Sequence, residues 1–171
     1  MDERMRKTIM AAVMSALVCA ATLVIRIPTV TNGYVNLGDC VVMMSGWLLG
    51  APWGFAAAGL GSALADIISG YPIYAPGTFL IKGIMAVIAS LLVYAVREHI
   101  AVGRIISSVA AELFMAAGYF MYEWIFITGS FEKSVIGIPE NLIQGTVGVL
   151  SAFAVMTALE RTKVLNMLKF K

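Results

Sequence analysis

Lys82, Glu112 and Glu123 are ionisable residues set inside long apolar runs, and Asn141 and Gln144 place two amides one helical turn apart in another. An ionised side chain at the centre of a bilayer costs at least about 2.5–3.5 kcal/mol on insertion scales, so such residues face a cavity or a partner and are functional candidates by default. Glu123 follows Tyr119 by four residues and Glu112 by eleven, which sets all three on one helical face. Lys82 stands one turn beyond Thr78. The spacing predicts that Lys82, Glu123 and the Asn141/Gln144 pair lie at a similar depth, just beneath one membrane surface. Together with Tyr34, Asn36, Tyr74, Tyr119 and Trp124 they would suit a small polar ring compound, with aromatic faces to stack on and a few placed hydrogen bonds. The structural alternative is that Lys82 pairs with Asp66 or Glu123 and only holds the bundle together.

Other chemistries find no residues to carry them. The chain has one histidine, His99, in the charged stretch REHIAVGR, so neither a metal cluster nor a Ser-His-Asp set can be assembled from the sequence. Cys19 and Cys40 fall in apolar surroundings and read as small packing residues rather than a disulfide framework. The glycines of GLGSALAD precede no Gly-Lys-Ser/Thr and follow no strand, which favours close helix packing over phosphate binding and leaves the chain without a nucleotide or other cofactor site. Asp39, after Gly38 and at the head of an apolar run, fits a helix N-cap. Asp66, just before SGYP, could bond the adjoining turn or Lys82. Glu112 is deeper, and a partner helix is one contact open to it.

The elements that must position these groups are membrane spans. Of 171 residues, 60% are hydrophobic and 13% charged, about half the charge of an ordinary soluble domain. The net charge of +2 is small and scattered, and no basic run interleaved with aromatics suggests nucleic acid. Apolar runs cut at charges, prolines and glycine clusters give six spans in a single integral membrane domain over 1–171: about 8–25, 39–49, 54–69, 78–96, 105–127 and 140–159. The basic MDERMRK ahead of the first run raises a signal peptide, but the run exceeds an ordinary h-region and further spans follow, so it is expected to be retained. The second and third spans are short, and the charge-free LLGAPWG between them allows either a sunken hairpin or one span plus a re-entrant segment. Six crossings place Arg4, Arg6, Lys7, Arg97, Arg104, Arg161, Lys163, Lys169 and Lys171 on one side and only Arg26 and Lys133 on the other. That asymmetry supports six transmembrane helices with both termini cytoplasmic. The longer, aromatic-rich connections then face outward, as a pocket open to the outside requires.

The first span carries Ala12, Ala16 and Ala20 at four-residue intervals. Small residues at that spacing let a second helix approach closely in lipid. That helix could be one of the chain's own or could belong to a separate membrane subunit.

The order of an alanine-rich first span, then GYVNLGD, LLGAPWG, GLGSALADIISGYPIYAPGTFLIKG and IPENLIQGTVG, resembles the substrate-binding S component of energy-coupling factor (ECF) vitamin transporters. The resemblance covers almost the whole chain and is densest over 33–83. It is similar to the riboflavin-type branch, which also includes subunits for pyridoxine and hydroxymethylpyrimidine. It implies an all-α, six-helix membrane fold that captures a water-soluble vitamin from outside, partly capped by the loop after the first span. It also implies assembly with a transmembrane coupling subunit and two cytoplasmic ATPases, with Ala12, Ala16 and Ala20 matching the family's docking motif. Family pockets map here onto Tyr34 and Asn36, Lys82, Tyr119 and Glu123, and Asn141 and Gln144. No riboflavin signature is present, and one cation with few anions and two amides fits pyridoxine or a pyrimidine better than folate. A membrane-embedded enzyme acting on a lipid or isoprenoid through Glu112, Glu123 and Asp66 is the alternative from another class. It lacks paired acidic metal motifs and any nucleophile beside a base.

Overall fold

The computed structural model describes residues 2–24, 26–28 and 34–162, with the backbone alone for 26–28, 34 and 35. The basic tail at 163–171, and with it Lys163, Lys169 and Lys171, lies outside the described residues. Helix α1 (Glu3–Val24) leads to a two-stranded antiparallel ribbon of β1 (Arg26–Pro28) and β2 (Tyr34–Asn36), in register Arg26 to Asn36 and Pro28 to Tyr34. Then follow α2 (Gly38–Leu49), α3 (Ala51–Ile68), α4 (Ala75–Ala95), a 3-10 turn (Arg97–His99), α5 (Ile100–Tyr122), a π-helical turn (Glu123–Thr128), α6 (Phe131–Val135) and α7 (Ile138–Arg161). The fold is helical apart from the ribbon, which the apolar pattern of its residues did not announce.

Local chemistry sets where several helices begin. Pro52, Pro76 and Pro139 each stand in the first turn of α3, α4 and α7, where proline's missing N–H leaves no bond unmade and its fixed φ is already helical. Gly50 adopts φ 80°, which ends α2 and lets LLGAPWG reverse direction into α3.

Five stretches are long and apolar enough to cross a membrane: Glu3–Val24, Ala51–Ile68, Ala75–Ala95, Arg97–Thr128 and Phe131–Arg161. Helix α2 differs from them. Its 12 residues reach about 18 Å, short of a hydrocarbon core of about 30 Å. Nine of the 12 are buried, Val42 and Met43 completely, because α2 packs against α1, α3, α4 and α7. A helix apolar on every side belongs in an interior. The second of the six segments is therefore the centre of the bundle, and any charged residue on it must be satisfied from within.

Around α2 the neighbours run α1, α3, α4, α5 and α7. Small residues bring these helices together, as expected of GLGSALAD: a Cβ on Gly61 would strike the Ser15 carbonyl of α1, and one on Gly59 would strike Phe79 of α4. The core is completed by Met14, Val18, Met85, Met115 and Ala111.

The connection expected to be a loop between the fifth and sixth spans is instead ordered by α6. The hydroxyls of Thr128 and Ser134 lie 2.8 Å apart and both bond the Ser130 backbone, while the Ser130 hydroxyl donates to Glu132. Phe131 closes a cluster with Phe120 and Trp124 at centroid distances of 5.4–6.0 Å. Aromatic rings gathered at one end of a bundle are characteristic of the membrane–water interface.

Candidate functional site

The polar centre lies where α2, α4, α5 and α7 meet beneath the ribbon. Asp39, on the first turn of α2, is fully buried. The expected N-cap role is not what it performs. Leu37 occupies the cap position without a side-chain bond, and the Asp39 carboxylate turns into the bundle. Its Oδ1 accepts from Lys82 Nζ in a buried ion pair, and its Oδ2 accepts from Gln144 Nε2 at 2.6 Å. The partner of Lys82 is thus neither Asp66 nor Glu123. The reason is the position of α2, since the carboxylate on the enclosed helix is the one that α4 faces.

Lys82 also reaches Met115 Sδ at 2.8 Å and sits 5.4 Å from the centre of the Tyr119 ring, within cation–π range. Tyr119 donates its hydroxyl to Thr78 Oγ1 at 3.1 Å. Asn36, at the end of β2, donates from Nδ2 to Gln144 Oε1 at 3.2 Å and accepts from the Gly38 amide at 2.8 Å. One continuous set of bonds therefore runs from the ribbon through α7 and α2 to α4 and α5. Lys82 lies about 10 Å along α4 and Gln144 about 9 Å along α7, both counted from the end nearer the ribbon.

Of the residues singled out in the sequence, the structure brings together Asn36, Lys82, Tyr119 and Gln144. Glu123 and Asn141 turn toward Gly137 instead. Glu123 is about 12 Å further along α5 than Met115, and its carboxylate lies beside Gly137 at the start of α7. Sharing a helical face with Glu112 and Tyr119 did not give it their depth. Asn141 donates from Nδ2 to the Gly137 carbonyl of its own helix at 3.1 Å. Tyr74, just ahead of α4, packs its ring 6.5 Å from Tyr71 and 6.3 Å from Tyr122. Burial, and then the nearby carboxylates of Glu123 and Asp66, push its hydroxyl pKa above the ordinary value. The Tyr34 side chain lies outside the described residues.

Asp39 and Met115 are the members that sequence reasoning missed. Asp39 had a usable signal, a carboxylate on a segment too short to span and apolar all round. Met115 had none, since nothing distinguishes it from the chain's other methionines.

Glu112 occupies a second level, about 15 Å from the C-terminal end of α5. It is 6% exposed, and neither carboxylate oxygen has a hydrogen-bond partner. A Cβ on Gly145 or Gly148 would meet the Glu112 side chain, and one on Gly148 would also lie 3.0 Å from Asp39 Cβ. The two glycines of α7 make the room in which this carboxylate rests. Glu123 and Asp66 lie near Tyr74 while Glu112 rests deeper against Gly145 and Gly148, so the three acids of the enzyme alternative do not gather at one place.

Residues 3–161 match the family described as "ECF-type riboflavin transporter, S component". The chain belongs to this family. An S component is a transporter subunit and not an enzyme, and it is an integral membrane protein that crosses the bilayer several times, in keeping with five spanning helices around a sixth, shorter one. Among curated proteins, this S component is similar to an "Uncharacterized protein in gap 3'region" of Pyrococcus woesei, 38% identical over 104 residues, which are 60% of this chain and 68% of that protein.

On α1 the S component keeps Ala12, Ala16 and Ala20 exposed, while Ala11, Met14, Val18 and Thr22 face inward. Among the described residues, no helix packs over the alanine stripe.

Proposed function

We propose that this S component binds a water-soluble vitamin or vitamin precursor, a small heteroaromatic such as pyridoxine, a pyrimidine or riboflavin, from the outer side of the membrane. It delivers that ligand through association with a transmembrane coupling subunit and two cytoplasmic ATPases. Both termini are cytoplasmic, as the distribution of Lys and Arg argues. The observation that carries the reading is the Asn36–Gln144–Asp39–Lys82 set of bonds, which ties the ribbon after α1 to the interior of four helices. A ligand engaging Lys82, Tyr119 and Gln144 would be felt directly at Asn36, and so at the ribbon that closes over it. Tyr34 and Tyr74 would supply aromatic faces at the mouth, with Glu123 and Asn141 on its rim.

The test is a thermal-shift screen of the purified subunit against water-soluble vitamins and their precursors. A ligand present at 100 times its Kd stabilises the native state by about 2.7 kcal/mol. At about 2–4 °C per kcal/mol for a chain of this size, the melting temperature should rise by roughly 5–10 °C with the cognate compound. No shift with any vitamin, in a preparation that unfolds cooperatively, would overturn the proposal.

A further inference from the structure

A lysine ammonium has three N–H bonds to place and a glutamine amide nitrogen two. Asp39 takes one from each, Lys82 at Oδ1 and Gln144 at Oδ2. Both nitrogens also converge on a single further atom, the thioether sulfur of Met115, which lies 2.8 Å from Lys82 Nζ and 3.7 Å from Gln144 Nε2. Such a sulfur is only a weak acceptor, whereas hydrogen bonds from an ionised donor to oxygen are roughly twice as strong as neutral ones.

The oxygens around these donors are engaged elsewhere. The Gln144 side-chain oxygen accepts from Asn36, the Asn36 oxygen from the Gly38 amide and Thr78 Oγ1 from Tyr119. Glu112, one turn before Met115 on α5, offers neither of its carboxylate oxygens to a hydrogen bond. The polar centre thus directs two strong donors at a soft atom in a place where an oxygen would serve both. Met115 is completely buried and shares a face of α5 with Tyr119, and Lys82 touches both. Its side chain is unbranched, with three rotatable bonds, so it can withdraw while the Lys82–Asp39 ion pair and the Gln144–Asp39 bond stay in place.

We propose that the Met115 sulfur holds the place of a ligand oxygen, and that the subunit selects a flat ring bearing an unprotonated oxygen, a ring carbonyl or a phenolate, which displaces the thioether and accepts from Lys82 and Gln144 together. This selection rests on the vitamin-binding reading above and names the ligand group that the site recognises. Two weak bonds to sulfur are exchanged for two to oxygen, one of them charge-assisted, and the ring is left beside Tyr119. Met115 is then the residue that sets specificity, because it makes the two donors available only to a group that accepts better than sulfur does.

The experiment is calorimetric titration of the full-length subunit in lipid nanodiscs with matched probes that differ in the ring oxygen: pyridoxine against 3-deoxypyridoxine, and 5-hydroxymethyl-2-methylpyrimidin-4-one against the corresponding 4-amine. Wild type should prefer the oxygen-bearing member of at least one pair by tenfold or more. Met115→Gln brings an amide oxygen of its own to the two donors and should weaken that member by at least tenfold, whereas Met115→Leu, which offers no acceptor, should bind it within threefold of wild type or more tightly. In protein labelled with carbon-13 at the methionine methyl groups, the Met115 resonance, assigned through either variant, should shift on saturation with whichever vitamin binds, while that of Met85, completely buried on α4, serves as the control. An unmoved Met115 methyl, equal affinity for both members of a pair that binds, or a cooperatively unfolding Met115→Gln variant that binds as wild type does overturns the selection and leaves the vitamin-binding reading standing. If neither variant folds, the pair preference of wild type decides, and if only a vitamin outside the pairs binds, the methyl resonance decides. Failure of wild type to bind any of these probes or any other water-soluble vitamin removes both.

Discussion

Lys82→Met should destabilise the folded subunit by about 3–5 kcal/mol, the largest loss of stability expected from any single side chain in the polar centre. The substitution conserves the apolar stem, so packing against Met115 and Tyr119 survives. What it removes is the cation paired with a completely buried carboxylate. Asp39 would then keep one donor, Gln144 Nε2, which cannot offset a full charge in that environment. The double variant Lys82→Met, Asp39→Asn removes both charges and should recover stability to within about 1 kcal/mol of wild type, since replacing a buried ion pair outright is often close to neutral. Unfolding midpoints in one detergent, measured for the three proteins side by side, check the pattern. Vitamin affinity should behave differently and stay lost in the double variant, because the ligand would meet neither charge. A single variant as stable as wild type would mean that the ion pair is not what satisfies Asp39. A double variant that binds normally would reduce the pair to a structural tie.

That contrast bears on what the sequence could and could not disclose. Six apolar segments and the glycine approaches of α3 were legible, because they follow from hydropathy and from the small size of glycine, whereas the three prolines, read as breaks between segments, turned out to stand inside the first turns of α3, α4 and α7. The chemistry of the site was legible only by residue type. Lys82, Tyr119, Gln144 and Asn36 were visible as polar groups in the wrong solvent, and the burial cost that singles them out acts whatever the tertiary arrangement. Their partners were not visible. Helical spacing assigns a face, not a depth relative to other helices, which is why Glu123 fell well above Lys82 although it projects from the same side of α5 as Glu112. The assignment of Asp39 as a cap failed for a related reason. A cap argument uses only the residue's local position, whereas the enclosure of α2 by four other helices is a tertiary fact that overrides it. The ribbon was hidden because strands of three residues leave no alternation to detect, and α6 because five residues are too few to show a helical period.

Ala16→Leu should abolish stable assembly with the coupling subunit while leaving the isolated S component folded and able to bind vitamin. Ala16 is exposed in the middle of the stripe Ala12–Ala16–Ala20, on the face of α1 opposite Ala11, Met14, Val18 and Thr22. Because no helix among the described residues packs there, the larger side chain meets none of them, and exposed substitutions of this kind cost less than about 0.5 kcal/mol. In lipid, helices gain no hydrophobic drive from association and depend on close contact. A leucine holds the approaching backbone away and forfeits the contact energy along the whole stripe. Co-purification of the tagged S component with the coupling subunit and ATPases should fall by more than tenfold, against no change for Leu91→Ala, an exposed position on α4 that has no small-residue stripe. Vitamin-induced thermal shifts should be the same in Ala16→Leu and wild type, which separates a docking defect from misfolding. Undiminished recovery of the complete transporter with leucine at this position would move the docking surface off α1 and leave the exposed alanines as ordinary lipid-facing residues.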